Sequence, residues 1–287
     1  MALDKMQLQR LELKYKINEN TALRIRDFVG SYLEPDEFAV GKPDFSYPVH
    51  SLYLDSDDML TYWDTINGNK NRFKLRLRYY STKPDAPVFF EIKRRMNNCI
   101  MKQRGGVRRW AVDWLLAGHI PEPEHMTSTD PKHVVALQQF CQRMATLKAR
   151  PKAHIYYMRE AWVTAGDNSV RLTMDRQVQC ERDFTSRLPV VMENPVLVFG
   201  DEVVLELKFT QRYPVWFQDL IRAFSINITG AAKYVEGVAG VGEDLFFDNS
   251  PNRILPGAFP ELNESDESWN VQRPGGEERI KQAMEDA

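Results

Sequence analysis

The segment Arg72-Phe-Lys-Leu-Arg-Leu-Arg-Tyr-Tyr80 alternates cations with apolar residues at the two-residue period of a β-strand. Lys74, Arg76 and Arg78 therefore share one face, and Phe73, Leu75, Leu77 and Tyr79 take the other. Neighbouring side chains on one face stand about 7 Å apart. Two like charges at that separation repel by roughly 2 kcal/mol at an effective dielectric of 20. Such a strand is stable only beside counter-ions, in water, or against a bound polyanion.

Other segments repeat the pattern. Glu12, Lys14 and Lys16 alternate with Leu11, Leu13, Tyr15 and Ile17, while Glu91, Lys93 and Arg95 alternate with Phe90, Ile92 and Arg94. Lys102 and Arg104 are two apart, as are Glu206 and Lys208, and Arg171, Thr173 and Asp175 share one face. One strand of this kind describes a sheet with a single wet face equally well. The whole set does not, because its polar faces carry almost no Ser, Thr, Asn or Gln.

The apolar faces need cover, and amphipathic helices are predicted at about 20–33, 112–117, 131–147 and 214–224. Together these features predict an α+β fold built as an inside-out barrel, with apolar faces turned outward under helices and charged faces lining a water-filled bore.

Composition narrows the function. Lys and Arg total 38 against 40 Asp and Glu, so a net charge of −2 provides no global pull toward nucleic acid. Cys99, Cys141 and Cys180 are odd in number and far apart, which fits free thiols in a reducing compartment. With no signal-peptide pattern and no long apolar run, a cytoplasmic protein without a membrane span is expected. Residues 8–247 read as one domain. Residues 248–287, rich in Pro, Gly, Glu and Asn, read as a poorly ordered or partner-dependent tail.

On the matched faces Lys14, Arg76, Arg78, Lys93, Lys102, Arg159, Arg171, Lys208 and Lys233 are candidate phosphate ligands, since arginine grips phosphate bidentately and lysine supplies a mobile point charge. Glu206, on an otherwise apolar strand, is the candidate metal ligand, with Glu12, Glu91 and Asp175 as helpers. Each of these carboxylates could instead serve as an ion-pair partner across the bore. Gly105-Gly106 lacks P-loop spacing and is expected in a turn. The five histidines show no zinc spacing, no nucleophile-elbow motif is present, and Tyr79, Tyr80, Tyr156 and Tyr157 are expected in the core.

Leu11-Glu-Leu-Lys-Tyr15, Ser51-Leu-Tyr-Leu-Asp55, Lys74-Leu-Arg-Leu-Arg78, Phe90-Glu-Ile-Lys93, Val170-Arg-Leu-Thr-Met-Asp175, Val204-Leu-Glu-Leu-Lys208 and Ala232-Lys-Tyr-Val-Glu-Gly237 follow in consistent order over about residues 8–245. In this they resemble the VTC domain of polyphosphate polymerases, within the triphosphate tunnel metalloenzymes, or CYTH-like proteins. The resemblance implies an eight-stranded antiparallel tunnel, closed as a barrel, that binds ATP, triphosphate or polyphosphate with a divalent metal, Mn2+ or Mg2+. It implies transfer of the terminal phosphoryl group of ATP to a polyphosphate chain. The alternatives are a hydrolase of triphosphate or short polyphosphate, and a polyphosphate-binding module without turnover.

By the same resemblance Arg76, Arg78, Lys93, Arg159 and Arg171 are expected to act in catalysis, with Lys14, Lys102, Arg104 and Lys233 on phosphate and Glu206 on the metal, while Lys208 joins the phosphate set from its strand face. Two departures stand out. Ala232 replaces the serine that precedes the lysine of the last motif in the polymerases. Glu12-Leu-Lys14 is one acidic position short of the ExExK signature of the hydrolytic tunnel enzymes.

Overall fold

The computed structural model describes residues 11–97, 99–166, 169–210 and 212–247. The tail expected at 248–287 lies outside the described residues.

Strands β1 (Leu11–Ile17), β2 (Glu34–Pro35), β3 (Ser46–Asp55), β4 (Asn71–Tyr79), β5 (Val88–Met96), β6 (Cys99–Val107), β7 (Arg150–Val163), β8 (Val170–Arg182), β9 (Val196–Leu197) and β10 (Val203–Phe209) form one sheet. Eight of them follow the order β1-β10-β8-β7-β3-β4-β5-β6, every pair antiparallel, with β2 added to β7 and β9 to β8. Helices α1 (Glu19–Val29), α2 (Leu60–Ile66), α3 (Val112–Leu116), α4 (Pro131–Leu147), α5 (Val215–Ala223) and α6 (Lys233–Val241) pack around it.

The expected barrel is not closed by hydrogen bonds: among the described residues no ladder joins β1 to β6, although their Cα atoms approach within 8 Å. The free edges have found other partners. Tyr15 bridges to Ile228, and Thr229 donates its backbone N–H to the Lys14 carbonyl at 2.9 Å. On β6, Val107 bridges to Met126, and the Gly106 carbonyl accepts from Thr127 N–H at 3.0 Å. These contacts occupy the Lys14 and Gly106 carbonyls. The seam is spanned by side chains instead, with Lys93 of β5 placed 3.2 Å from Glu12 of β1.

Inside-out patterning holds on the convex side. Tyr15, Leu172, Met174, Leu205 and Leu207 are buried beneath Ala22, Ile25 and Val29 of α1 and Phe217 and Leu220 of α5. Leu75, Leu77, Phe90 and Ile92 are buried beneath Leu137, Phe140 and Met144 of α4. Each fully buried side chain of this size contributes about 1.5–3 kcal/mol, which offsets the cost of the charged concave face.

Local signals set the helix ends. Asn18, in an extended conformation, accepts from Thr21 N–H at 2.8 Å and starts α1 two residues ahead of the predicted Asn20. Asp130 accepts from Lys132 N–H at 2.8 Å with Pro131 in the first turn of α4, as predicted. Gly105 and Gly106 are not a turn, because both lie within β6. A Cβ on Gly105 would stand 2.8 Å from Leu137 Cβ, so the missing side chain is what lets α4 lie on the strand.

Helix α6, unforeseen in the sequence, fills one end of the concave side. Gln177 adopts φ 50 at a bulge between β7 and β8, and the extra residue turns Val178 and Cys180 onto the concave face. There they join Ala153, Ile155, Val235 and Val238 in a core between α6 and the sheet. A Cβ at Gly237 would meet Cys180 Cβ, Cys180 Sγ and Ile155 Cδ1, each at 2.9 Å, whereas at Gly240 the nearest atom is Val196 Cγ1 at 3.6 Å. Gly237→Ala is therefore expected to destabilise by about 1–3 kcal/mol through overpacking. Gly240→Ala should be neutral or stabilising by up to about 1 kcal/mol. Urea denaturation of both variants checks this, and equal effects would contradict the close approach.

Candidate active site

Antiparallel pairing brings the concave-face charges into register. Arg76 lies opposite Glu91, Glu91 opposite Arg104, and Lys74 opposite Lys93, which in turn faces Lys102. Across the sheet Lys14 faces Glu206, Glu12 faces Lys208, Lys208 faces Arg171, and Asp175 faces Arg159. Lys233, in the first turn of α6, joins them from the plugged end. All the cations and carboxylates expected at the site thus meet in one bore.

The carboxylates form three nodes, with Asp175 and Glu206 joined into one through Lys233. Glu91, fully buried, pairs with Arg76 at 2.7 Å and stands 3.2 Å from Lys102, 3.8 Å from Arg104 and 4.0 Å from Arg78. Its Oε1 receives no directed hydrogen bond, so Lys102 and Arg104 act on it through charge alone. Asp175, also fully buried, accepts two 2.7 Å hydrogen bonds from Arg159 and lies 2.7 Å from Lys233. Glu206 lies 2.5 Å from Lys208, 2.9 Å from Lys233, 3.7 Å from Lys14 and 3.9 Å from Arg159. Glu12, the third node, bridges Lys93 and Lys14 at 3.2 and 3.4 Å.

Burial opposes ionisation of every carboxyl group here, yet the cations win. Lys102, Arg76, Arg78 and Arg104 hold Glu91 well below the usual carboxylate range, and Lys208, Lys233, Lys14 and Arg159 do the same for Glu206. The cations respond according to their share of counter-charge. Burial alone would lower Lys233, but Asp175 and Glu206 raise it. Lys74 makes no ion pair among the described residues, and its ammonium sits over the Tyr234 ring at 5.4 Å. Burial, then Lys14, Lys93 and Arg72, bring its amine down to about 7. Lys102 falls to about 8 for the same first reason. The bore therefore holds more positive charge than its carboxylates balance, in a setting where each desolvated ion costs several kcal/mol.

Neutral side chains, none of them among the expected ligands, position the arginines. Tyr53 Oη accepts from Arg76 at 3.1 Å, Tyr157 Oη from Arg78 at 2.9 Å, and Ser51 Oγ from Arg78 at 3.2 Å. Tyr157 is buried in the core as expected, with its hydroxyl turned to Arg78. The period-two register of Ser51 and Tyr53 against Leu52 and Leu54 was the signal that could have found two of them. Asp36, on the loop after β2, pairs with Arg171 at 2.6 Å, and no local pattern marks it. Asp55, at the end of β3, accepts from Thr61 and Tyr62 N–H groups at 2.9 and 3.0 Å and from Tyr234 Oη at 2.8 Å. It ties α2 and the α6 plug to the sheet.

The donors in the bore suit a hard divalent ion, which needs oxygen ligands and takes only one or two carboxylates when phosphate supplies the rest. Glu206 and Asp175 both reach Lys233, so these two side chains lie side by side. Every oxygen of Glu206 already faces a cation, so an ion would share it with groups that phosphate itself neutralises. Among the described residues the one trio whose ligand atoms converge within 4.8 Å is Glu122, Glu124 and His125. His125 Nδ1 accepts from Glu122 N–H at 3.0 Å, which places the proton of the neutral ring on Nε2 and leaves no nitrogen lone pair for a metal.

The bore thus gathers surplus cations around a few buried hard-oxygen carboxylates. The family model of the VTC domain matches residues 9–241, and the chain belongs to that family. It is 21% identical over 291 residues to the vacuolar transporter chaperone complex subunit 4 of Schizosaccharomyces pombe, covering 88% of this chain and 39% of the relative. The chain thus spans well under half the length of that relative. Among solved structures, HpAC1 from Hippeastrum, described as having a dominant triphosphatase activity, aligns with 11% identity and a TM-score of 0.46 over 81% of this chain and 96% of its own. A Bacillus halodurans protein classed with adenylate cyclases aligns with 13% identity and a TM-score of 0.46 over 77% and 92%. Among the described residues no helix is long and apolar enough to cross a membrane.

The paired carboxylates make acid stability predictable. Burial works against Glu12 ionisation, but Lys93, Lys14 and Lys208 bring its carboxyl from 4.5 down to about 2. A depressed folded-state value gives stability that is present above the unfolded value and is lost as pH falls toward the folded one. Thermal melts should therefore drop between pH 4.5 and about 2. Glu12→Gln should flatten that segment of the profile while lowering stability at neutral pH. An unchanged profile would contradict the Glu12–Lys93 pairing.

Proposed function

We propose that the bore is the active site of a metal-dependent polyphosphate polymerase that transfers the terminal phosphoryl group of ATP to a polyphosphate chain. The observation that carries this reading is the surplus of pre-positioned cations around buried carboxylates, from Arg76 and Arg78 on one wall to Arg159 and Lys233 on the other. Phosphoryl transfer spreads negative charge over equatorial oxygens and needs positioning more than a covalent protein nucleophile. Cations fixed before the substrate arrives stabilise that charge without reorganising.

In this reading Arg76, Arg78, Lys93, Arg159 and Arg171 surround the phosphoryl group in flight. Lys14, Lys102, Arg104, Lys208 and Lys233 hold the remaining phosphates. Glu206, with Asp175 beside it and Glu12 and Glu91 as further helpers, would hold Mn2+ or Mg2+, which when bound neutralises charge on phosphate oxygens. Tyr53, Tyr157 and Ser51 keep the guanidiniums of Arg76 and Arg78 aimed. Assembly with other chains, as in the complex for which the Schizosaccharomyces pombe relative is named, belongs to this proposal as well.

Pure protein incubated with ATP and Mn2+ should build long phosphate chains resolvable on a gel. Orthophosphate released from tripolyphosphate, without chains, would assign the bore to a hydrolase; retention without turnover would assign it to binding alone. Arg76→Ala/Arg78→Ala should lower kcat/KM by at least about 100-fold, since each lost charge contact is of the kind that costs about 2.7–4 kcal/mol. Arg76→Lys/Arg78→Lys should retain part of it, because charge survives while bidentate geometry does not.

The half-titrated lysine offers a second test. With its amine held near 7, Lys74 is largely neutral in the anion-free bore at pH 8 and regains its proton beside phosphate. Tripolyphosphate binding at about pH 8 should therefore take up protons, by up to about one from this residue. Titration calorimetry in buffers of different ionisation enthalpy reads the uptake. Lys74→Met should reduce it, and an undiminished uptake would remove Lys74 from the bound-anion shell.

A further inference from the structure

The antiparallel order gives the bore two unlike ends. At one end lie Ile17, Asp55, Asn71, Met96, Arg150 and Arg182, and there α6 is seated. At the other, where β3 and β5 begin and β4 ends, the concave-face positions beyond the cations are aromatic. Tyr47 is the cross-strand partner of Arg159, Phe89 is the partner of Arg78, and Tyr80 follows Arg78 by two residues on the same face.

The rings form a continuous arc. Phe38 and Tyr47 have centroids 6.1 Å apart, Tyr47 and Tyr80 6.4 Å, and Tyr80 and Phe89 6.3 Å. The arc is wired to the phosphate-facing cations. The Arg104 guanidinium lies 3.4 Å over the Phe89 ring, and Arg171 donates to Tyr47 Oη at 3.4 Å while pairing with Asp36. Phe38 is held by the turn that Asp36 builds: the Asp36 carboxylate accepts from Phe38 N–H at 2.9 Å, and its carbonyl accepts from Ala39 N–H at 2.8 Å.

Phe38 nevertheless leaves 63% of its surface exposed and Tyr80 39%, beside a bore in which Arg76, Arg78, Arg159 and Lys233 are buried. Exposed rings on a rigid turn lose apolar contact that a flat ligand can restore. Stacking of a base on an aromatic ring is worth about 1–3 kcal/mol and needs no particular base edge.

We propose that this aromatic arc is the platform for the nucleobase of the phosphoryl donor, so that a nucleoside triphosphate enters base-outward from the end opposite α6. The inference rests on the reading of the bore as a phosphoryl-transfer site. The rings exposed on the arc present faces and one phenol, with no paired donor and acceptor set for a base edge. The platform therefore separates nucleoside triphosphates from inorganic triphosphate and discriminates little among bases.

The test measures equilibrium binding to the full chain of a non-hydrolysable ATP analogue, the matching CTP analogue and tripolyphosphate. Wild type should bind the ATP analogue more tightly than Phe38→Ser or Tyr80→Ser does, by about 5- to 100-fold. Tripolyphosphate affinity should stay within about twofold across all three proteins, which also reports that the bore is folded. Phe38→Tyr should restore the analogue, and the CTP analogue should bind within about tenfold of the ATP analogue. Unchanged analogue binding in both serine variants, with tripolyphosphate still bound, would overturn the platform and leave the bore reading standing. Failure of wild type to bind either ligand would overturn the bore reading and the platform with it.

Discussion

The structure depends on burying like charges next to one another and balancing them with few carboxylates. Glu91 and Asp175 are fully buried, and each gathers several cations within about ion-pair distance. Removing a partner from such a group leaves an uncompensated buried charge, which costs far more than the pair contributes when intact. The register of the ladders therefore has little freedom, because a one-residue slip would turn every charge of a strand outward under a helix and every leucine into the bore. The apolar mass of α1, α4 and α5 on the convex side holds that register against the repulsion inside.

The plug changes what kind of bore this is. Helix α6 carries Lys233 to Asp175 and Glu206, while its neighbour Tyr234 stacks on Tyr53 at 4.7 Å and hydrogen-bonds Asp55. Tyr53 in turn holds Arg76. A single helical turn thus couples the acidic wall on β8 and β10 to the arginine wall on β4. The α6 end is apolar and filled, whereas the other is aromatic and partly exposed, so the site is polar along its axis as well as charged.

Gly105-Gly106 and Gly237 illustrate how sequence and structure divide the work. They carry no local signal that separates turn from strand or helix, because the reason for glycine is a neighbour more than twenty residues away in one case and more than fifty in the other. The bulge at Gln177 is equally silent in the sequence, yet it decides which residues of β8 face α6. The edge of β1 follows the same rule, since its partner at Ile228 belongs to a distant segment.

What the sequence determined by itself was the alternation: which residues share a face, which face is charged, and that helices must cover the other. Those are consequences of a period of two and of the hydrophobic effect, and they need no tertiary information. Lys14, Arg76, Arg78, Lys93, Arg159, Arg171 and Glu206 could be placed on one surface for that reason, whereas Lys233 reaches it from a helix. Tertiary structure alone decided that the sheet curls without closing, that α6 fills one end, and which carboxylate serves which cation. It also brought in Asp36, Ser51, Tyr53 and Tyr157. These depend on distances between chain segments far apart in sequence, where competition for backbone partners and for counter-charge is settled only once the whole sheet has assembled.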